Sequence, residues 1–325
     1  MDDIADHLAL YAARCDRMTI TKPTARERAS YGWRVLGQAC GVLLARLRPW
    51  SQSPTRGDRT QPANVMFSST LLPTLASERS ALERFDLYLY DVMNSARLAG
   101  QIVFEYGTLL RAIDRWSDLR VLDVGTGRST FPGWMSCEGA TVTTFDLSRP
   151  AEQSWGGFQE HVNSIVGRHP GAIHAVAGSM RSLPFADASF DLLTSLSVVE
   201  HLDTDLPDRT FVPYEEQQRR LGRVLDEMIR VAKPGGRIYL TSECCDFERA
   251  TTDHWKPSYY YDKGPALSGA WPVQDVPRLF YEYVAARGCA LVGGVQFDVS
   301  NIAREDHWTW RGPYFSGFSL LARKQ

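Results

Sequence analysis

A chain of 325 residues that is 44% apolar and 23% charged can build a sizeable core without disulfide staples, as one large domain or two. Its formal net charge of −2 and pI near 6.4 offer no global attraction to a polyanion, which disfavours nucleic acid and acidic membrane surfaces as partners. Cys15, Cys40, Cys137, Cys244, Cys245 and Cys289 form no C-x-x-C pair, no apolar run reaches membrane-spanning length, and Met1-Asp2-Asp3 lacks the basic start of a secretory leader, so a reduced, soluble, cytoplasmic protein is expected.

From Asp2 to Trp50, apolar positions such as Ile4, Leu8 and Tyr11, then Val35, Leu36, Cys40, Leu43, Leu44 and Leu47, recur at spacings of three and four and predict two helices. The polar stretch at about 49–64, with three prolines and a glycine, reads as a loop or linker. A further helix pair is expected between Ala76 and Trp116, the last running from Arg97 to Ile113. Residues 1–110 are therefore expected to form a mainly helical cap. It packs on the sheet, serves as a homodimer interface, or forms a lid to which Tyr88, Tyr90 and Tyr106 contribute.

At Val121-Leu122-Asp123-Val124-Gly125-Thr126-Gly127 a β-branched run breaks at two glycines, the pattern of a buried strand entering a tight turn. Glycines suit a turn where φ is positive or where a Cβ would keep a ligand off the main chain, although the same pair also ends plain βα units. A second strand, Ala140 to Asp146, ends in a carboxylate about 20 residues on, where an acid can accept hydrogen bonds from ribose hydroxyls. Strands three and four are predicted at Ile173 to Ala177 and Phe190 to Ser195. Leu221, Val224, Leu225, Met228, Ile229 and Ala232 then form one helical stripe opposite Arg219, Arg220, Arg223 and Glu227. Lys233-Pro234-Gly235-Gly236 should stop that helix before strand five, Arg237 to Thr241. Beyond an insertion at about 246–274, a last helix is expected from Val276 to Arg287. Ala290 to Val299 and Phe315 to Ala322 read as an antiparallel closing pair.

Taken in order, the glycine turn, the strand ending at Asp146, the run Gly178 to Asp191 containing Leu183-Pro184-Phe185, the segment Val198-Val199-Glu200-His201-Leu202 and the run Val231 to Leu240 resemble the class I S-adenosylmethionine-dependent methyltransferases. The resemblance covers roughly Arg97 to the C-terminus, with its motifs between Leu119 and Ser242. It implies an α/β Rossmann-like fold: a seven-stranded, mostly parallel sheet with an antiparallel last strand and helices on both faces, occupying 111–325. It also implies S-adenosylmethionine as cofactor. Asp123, Gly125 and Gly127 would flank its methionine part, Asp146 would take the ribose, Ser179 and Met180 would lie by the adenine, and Leu147 and Ser195 would complete the cleft at the ends of strands two and four. Two positions depart from the family pattern. Ser129 stands where a third glycine is frequent, and Ser179 where an aspartate commonly faces the adenine amino group; a hydroxyl there accepts without charge assistance.

Methyl transfer from a sulfonium is an in-line displacement, so the enzyme chiefly aligns donor and acceptor and removes a proton where the acceptor requires it. His201, just after strand four, is the candidate base; the bland reading is that Glu200-His201 caps a turn or orders the sheet edge. The insertion, with His254, Trp255, Tyr260 and Trp271, and the closing hairpin loop, with His307, Trp308 and Trp310, together with Tyr106, are candidates for an acceptor pocket, the alternative being a cap whose rings pack on one another. No H-x-x-H or H-E-x-x-H motif points to a metal. The expected activity is methylation at O or N of a small aromatic or apolar metabolite. The alternatives are an S-adenosylmethionine-binding enzyme of another reaction type, a catalytically silent partner protein and, less favoured, a nicotinamide oxidoreductase, whose third fingerprint glycine is missing near Thr130.

Overall fold

The structure is a computed structural model that describes residues 63–88, 100–127, 129, 131–147, 171–205, 210–252, 270–299, 302 and 314–325. Helices α1 (Ala76–Tyr88) and α2 (Gly100–Ala112) precede strand β1 (Arg120–Val124), the short helix α3 (Phe131–Cys137) and strand β2 (Thr141–Asp146). Then come β3 (Ala172–Ala177), β4 (Phe190–Leu196), the long helix α4 (Tyr214–Val231), β5 (Ala232–Cys245), β6 (Cys289–Leu291) and β7 (Phe315–Lys324). These strands form one sheet in the order β3-β2-β1-β4-β5-β7-β6, with Trp271–Pro272 added beside the end of β5. Pairings from β3 through β5 are parallel, and β7 runs antiparallel to both neighbours. The chain reverses its outward path between β1 and β4, which opens a crevice at the carboxyl ends of the strands.

Alternation along buried strands divides the core. Leu122, Leu193, Ile238 and Leu240 join the α4 side, where Leu221, Val224, Leu225 and Met228 form the stripe read from the sequence. Val121, Leu192 and Tyr239 face the other side, with Leu109 and Leu110 of α2 and Phe131, Trp134 and Met135 of α3. Glu215 and Glu216 occupy the first turn of α4 and Arg230 its last, the arrangement that the helix dipole favours. Lys324 Nζ donates to the carbonyls of Ile229 and Ala232, satisfying acceptors at the helix end.

Several elements differ from their sequence reading. Strand β5 begins at Ala232, paired with Phe190, and its register then shifts so that Leu192 meets Arg237. Lys233 to Gly236 is thus a bulge between paired segments, with Gly235 at φ +78°. At its far end β5 reaches Cys245 rather than Thr241, because β7 pairs with it from Arg237 to Cys245. The closing strand expected over Ala290 to Val299 stops at Leu291: Gly293 and Gly294, both at positive φ, turn the chain so that Val295–Gln296 pairs in parallel with Asn64–Val65. The stretch read as a loop up to residue 64 therefore ends in a short strand. Fully buried Asn64 locks this corner, donating from Nδ2 to the carbonyls of Val292 and Gly294 and accepting from Leu321 N–H at 2.6 Å. The helix expected from Val276 to Arg287 is divided into a π-helical turn, Pro277–Glu282, and a short α-helical turn, Tyr283–Ala285. The two helices expected over Asp2 to Trp50 lie outside the described residues.

Candidate functional site

The end of β1 shapes the crevice. Gly125 takes φ +78° and Gly127 φ +54°, both costly for a residue with a Cβ. Gly125 N–H donates to Phe145 O at 2.7 Å, tying the turn to β2, and a Cβ at Gly125 would stand 2.4 Å from Val198 Cγ1. Gly127 differs: a Cβ there meets nothing nearer than Gly125 O at 3.9 Å, so this backbone borders open space. Its N–H donates to Asp146 Oδ2 at 2.8 Å, which sets the carboxylate at the end of β2 against the turn. Ser129, in place of a third glycine, has a structural task. Its Oγ accepts from Phe131 N–H at 3.1 Å at the start of α3 and shares a 2.7 Å hydrogen bond with Tyr106 OH. Tyr106 also stacks on Phe131, with centroids 4.5 Å apart, so α2 braces the turn from behind.

Beneath the turn, Asp123 is buried and its Oδ1 accepts from Thr194 Oγ1 at 2.5 Å. Burial pushes its carboxyl up to about 6, against the hydrogen bonds from Thr194 and Thr126 and with the Asp146 charge. Asp146 itself is half-buried, whereas the next residue, Leu147, is a 60% exposed apolar side chain. Gly178 N–H donates to Asp146 O; Ser179 Oγ accepts from Arg181 N–H at 3.3 Å, and Met180 leans on the core. Ser195 is fully buried near the end of β4, and its Oγ has no hydrogen-bond partner among the described residues. An open glycine backbone, a carboxylate fixed beside it and an exposed leucine next to that carboxylate suit a nucleoside with a polar tail.

A second polar group lies at the ends of β4 and β5, and its pattern was not legible in the sequence. Ser197, held at φ +51°, donates from N to Thr241 O and from Oγ to Glu105 Oε1 of α2. Gln101 Nε2 donates to both Glu105 Oε1 and Ser197 Oγ. Glu105 is buried, and desolvation raises its carboxyl to about 7, with the hydrogen bonds from Ser197 and Gln101 opposing and the charge of Glu243 adding to the rise. Glu200 is buried too, accepts from Ser242 Oγ at 2.7 Å, and is pushed well up by burial and by Glu243. Three buried carboxyls thus share one end of the sheet. His201, beside Glu200 in the 3-10 turn Val199–Asp203, is exposed.

Asp123, Gly125, Gly127, Asp146 and Leu147 meet at the ends of β1 and β2, with Ser195 and His201 at and beyond the end of β4. Trp271, read as a pocket aromatic, is instead fully buried: its strand pairs with Cys244–Cys245 and its ring packs against Phe280. Tyr90, His254, Trp255, Tyr260, His307, Trp308 and Trp310 lie outside the described residues, and nothing is described of the Tyr88 side chain. Among the described residues there is no group of His, Cys, Asp and Glu able to hold a metal ion, and no helix long and apolar enough to cross a membrane.

Residues 122–240, which run from β1 into β5, match the family described as Methyltransferase domain. The chain is 28% identical over 154 residues to the biotin biosynthesis bifunctional protein BioHC of Cellvibrio japonicus, covering 47% of this chain and 24% of that protein. It is 28% identical over 159 residues to a demethylmenaquinone methyltransferase of Thermobifida fusca, covering 49% and 56%. To a malonyl-[acyl-carrier protein] O-methyltransferase of Erwinia billingiae it is 30% identical over 165 residues, covering 50% and 51%. The chain thus spans about half or less of the length of these relatives.

Proposed function

We propose, from the premise that the chain belongs to the class I S-adenosylmethionine-dependent methyltransferases, that it methylates O or N of a small aromatic or apolar metabolite. The observation that carries this reading is the Gly127 N–H bond to Asp146 beside an open glycine backbone and an exposed Leu147. S-adenosylmethionine, when bound, supplies an electrophilic methyl group on sulfur. Asp146 would hold its ribose, Asp123 and the glycine turn would flank its amino-acid portion, and Leu147, Ser179 and Met180 would lie by its adenine. The relatives' names specify unlike acceptors, demethylmenaquinone and malonyl-[acyl-carrier protein], so the support they lend is to the reaction and not to a particular acceptor.

The acceptor approaches beyond the ends of β4 and β5, and His254, Tyr260, His307 and Trp308, which the sequence assigns to its pocket, lie outside the described residues. His201 takes the acceptor proton where one must be lost. Calorimetric titration of the full chain with S-adenosylmethionine, its demethylated product and a nicotinamide dinucleotide tests the cofactor assignment: the first two bind and the third does not, and the reverse result overturns it. His201→Ala lowers single-turnover methyl transfer while S-adenosylmethionine affinity stays unchanged; equal rates in variant and parent remove the histidine from the chemistry.

A further inference from the structure

Away from the crevice, α2, β5, β7 and the chain between Ala63 and Leu75 border a partly open cavity of about 170 Å³. It lies toward the opposite edge of the sheet, since Ala112 ends the helix leading into β1 and Arg237 pairs with Leu192 near the start of β4. Val65, Leu71, Leu75 and Leu321 supply apolar wall, and Arg111, Arg237 and Asp114 bring charge. The volume is close to the ~150 Å³ of a cavity that accepts benzene, so one six-membered ring fits.

The two guanidinium groups are differently engaged. Arg111 is committed: it pairs with buried Glu78 at 3.3 Å and donates to the Thr74 carbonyl. Arg237 is half-buried, yet among the described residues its guanidinium makes a single hydrogen bond, to Ala112 O at a long 3.4 Å, and no ion pair. A guanidinium presents five N–H donors in a planar fork that matches a carboxylate, and partial burial makes poor satisfaction costly. We infer that this cavity is a binding site for a small monocarboxylate with a ring-sized apolar body, its carboxylate on Arg237 and its ring among Val65, Leu71, Leu75 and Leu321. Exposed Asp114 at the wall sets the charge limit: it repels a dianion more than a monoanion, which favours a carboxylate over a phosphate monoester.

The test is calorimetric titration of the full chain with sodium benzoate, benzamide and phenyl phosphate, alone and with saturating S-adenosylhomocysteine. Benzoate is expected to bind at least tenfold more tightly than either analogue and to be indifferent to S-adenosylhomocysteine. Arg237→Gln should weaken benzoate binding at least tenfold, Ala112→Phe should abolish it by filling the cavity, and Asp114→Asn should tighten it. Absence of benzoate binding to the parent, equal binding to Arg237→Gln, or displacement by S-adenosylhomocysteine overturns the proposal. Unfolding midpoints of the variants are measured alongside, and Asp114→Asn, at an exposed position, keeps the test decisive if Ala112→Phe does not fold. The cofactor assignment stands or falls separately on its own titration.

Discussion

The glycine turn at the end of β1 and the carboxyl cluster at the ends of β4 and β5 border the same edge of one sheet, but they are built in opposite ways. The turn is made of backbone: two glycines at positive φ, an N–H held by Asp146, and space where side chains are missing. The cluster is made of side chains from α2, the turn after β4, and β5: its three carboxyls are buried, Glu105 is bonded to Ser197 and Gln101, and Glu200 is bonded to Ser242. One region leaves room beside its backbone. The other holds unsolvated acid where charge is costly, and so makes the protein's ionisation depend on pH.

The largest expected effect lies in the backbone region. Gly125→Ala forces a Cβ against Val198 at a φ that disfavours it, and both the strain and the clash must be relieved by moving the turn. A stability loss of about 2–4 kcal/mol and loss of S-adenosylmethionine binding are expected from denaturant unfolding and calorimetry. Unaltered unfolding and binding would show that the turn tolerates a side chain and that the contrast with the cluster is false. Asp146→Ala comes next: it removes the acceptor for Gly127 N–H and the proposed ribose contact, and should weaken cofactor binding by about 1.5–3 kcal/mol. An unchanged dissociation constant takes Asp146 out of the site.

Glu105→Gln sharpens the other side of the comparison, through the pH dependence of stability rather than through cofactor binding. Its carboxyl is raised from the usual 4.5 to about 7 in the folded state, so the folded protein holds more protons than the unfolded chain between those values. Stability therefore falls as pH rises from 4.5 to 7, by up to about 1.4 kcal/mol per pH unit from this one group. The glutamine variant loses that part of the slope while still accepting from Ser197. Thermal unfolding across this range checks it, and parallel curves for variant and parent would mean that Glu105 does not titrate there. Little change in cofactor affinity is expected from this substitution, in contrast to Asp146→Ala.

Residue patterns by themselves determined the strand–glycine–strand–acid succession and the apolar stripe of α4, because each is local: a turn needs glycines within a few residues, and a helix writes its buried face at intervals of three and four. The same patterns located Asp123, Gly125, Gly127 and Asp146, which lie on or just beyond two adjacent strands. Only the tertiary structure decided the rest. Glu105, Glu200 and Glu243 read as ordinary acids until α2, the turn after β4, and β5 bring them together and exclude water. Ser129 reads as a lost glycine until its hydroxyl is seen between Tyr106 and the start of α3. Trp271 reads as a pocket wall until its strand pairs beside Cys244–Cys245 and buries it. The end of β6 at Leu291 was equally hidden, because Asn64, more than 200 residues earlier, supplies the side chain that holds the Val292–Gly294 turn. Burial and partner choice are set by segments far apart in the chain, so no local pattern encodes them.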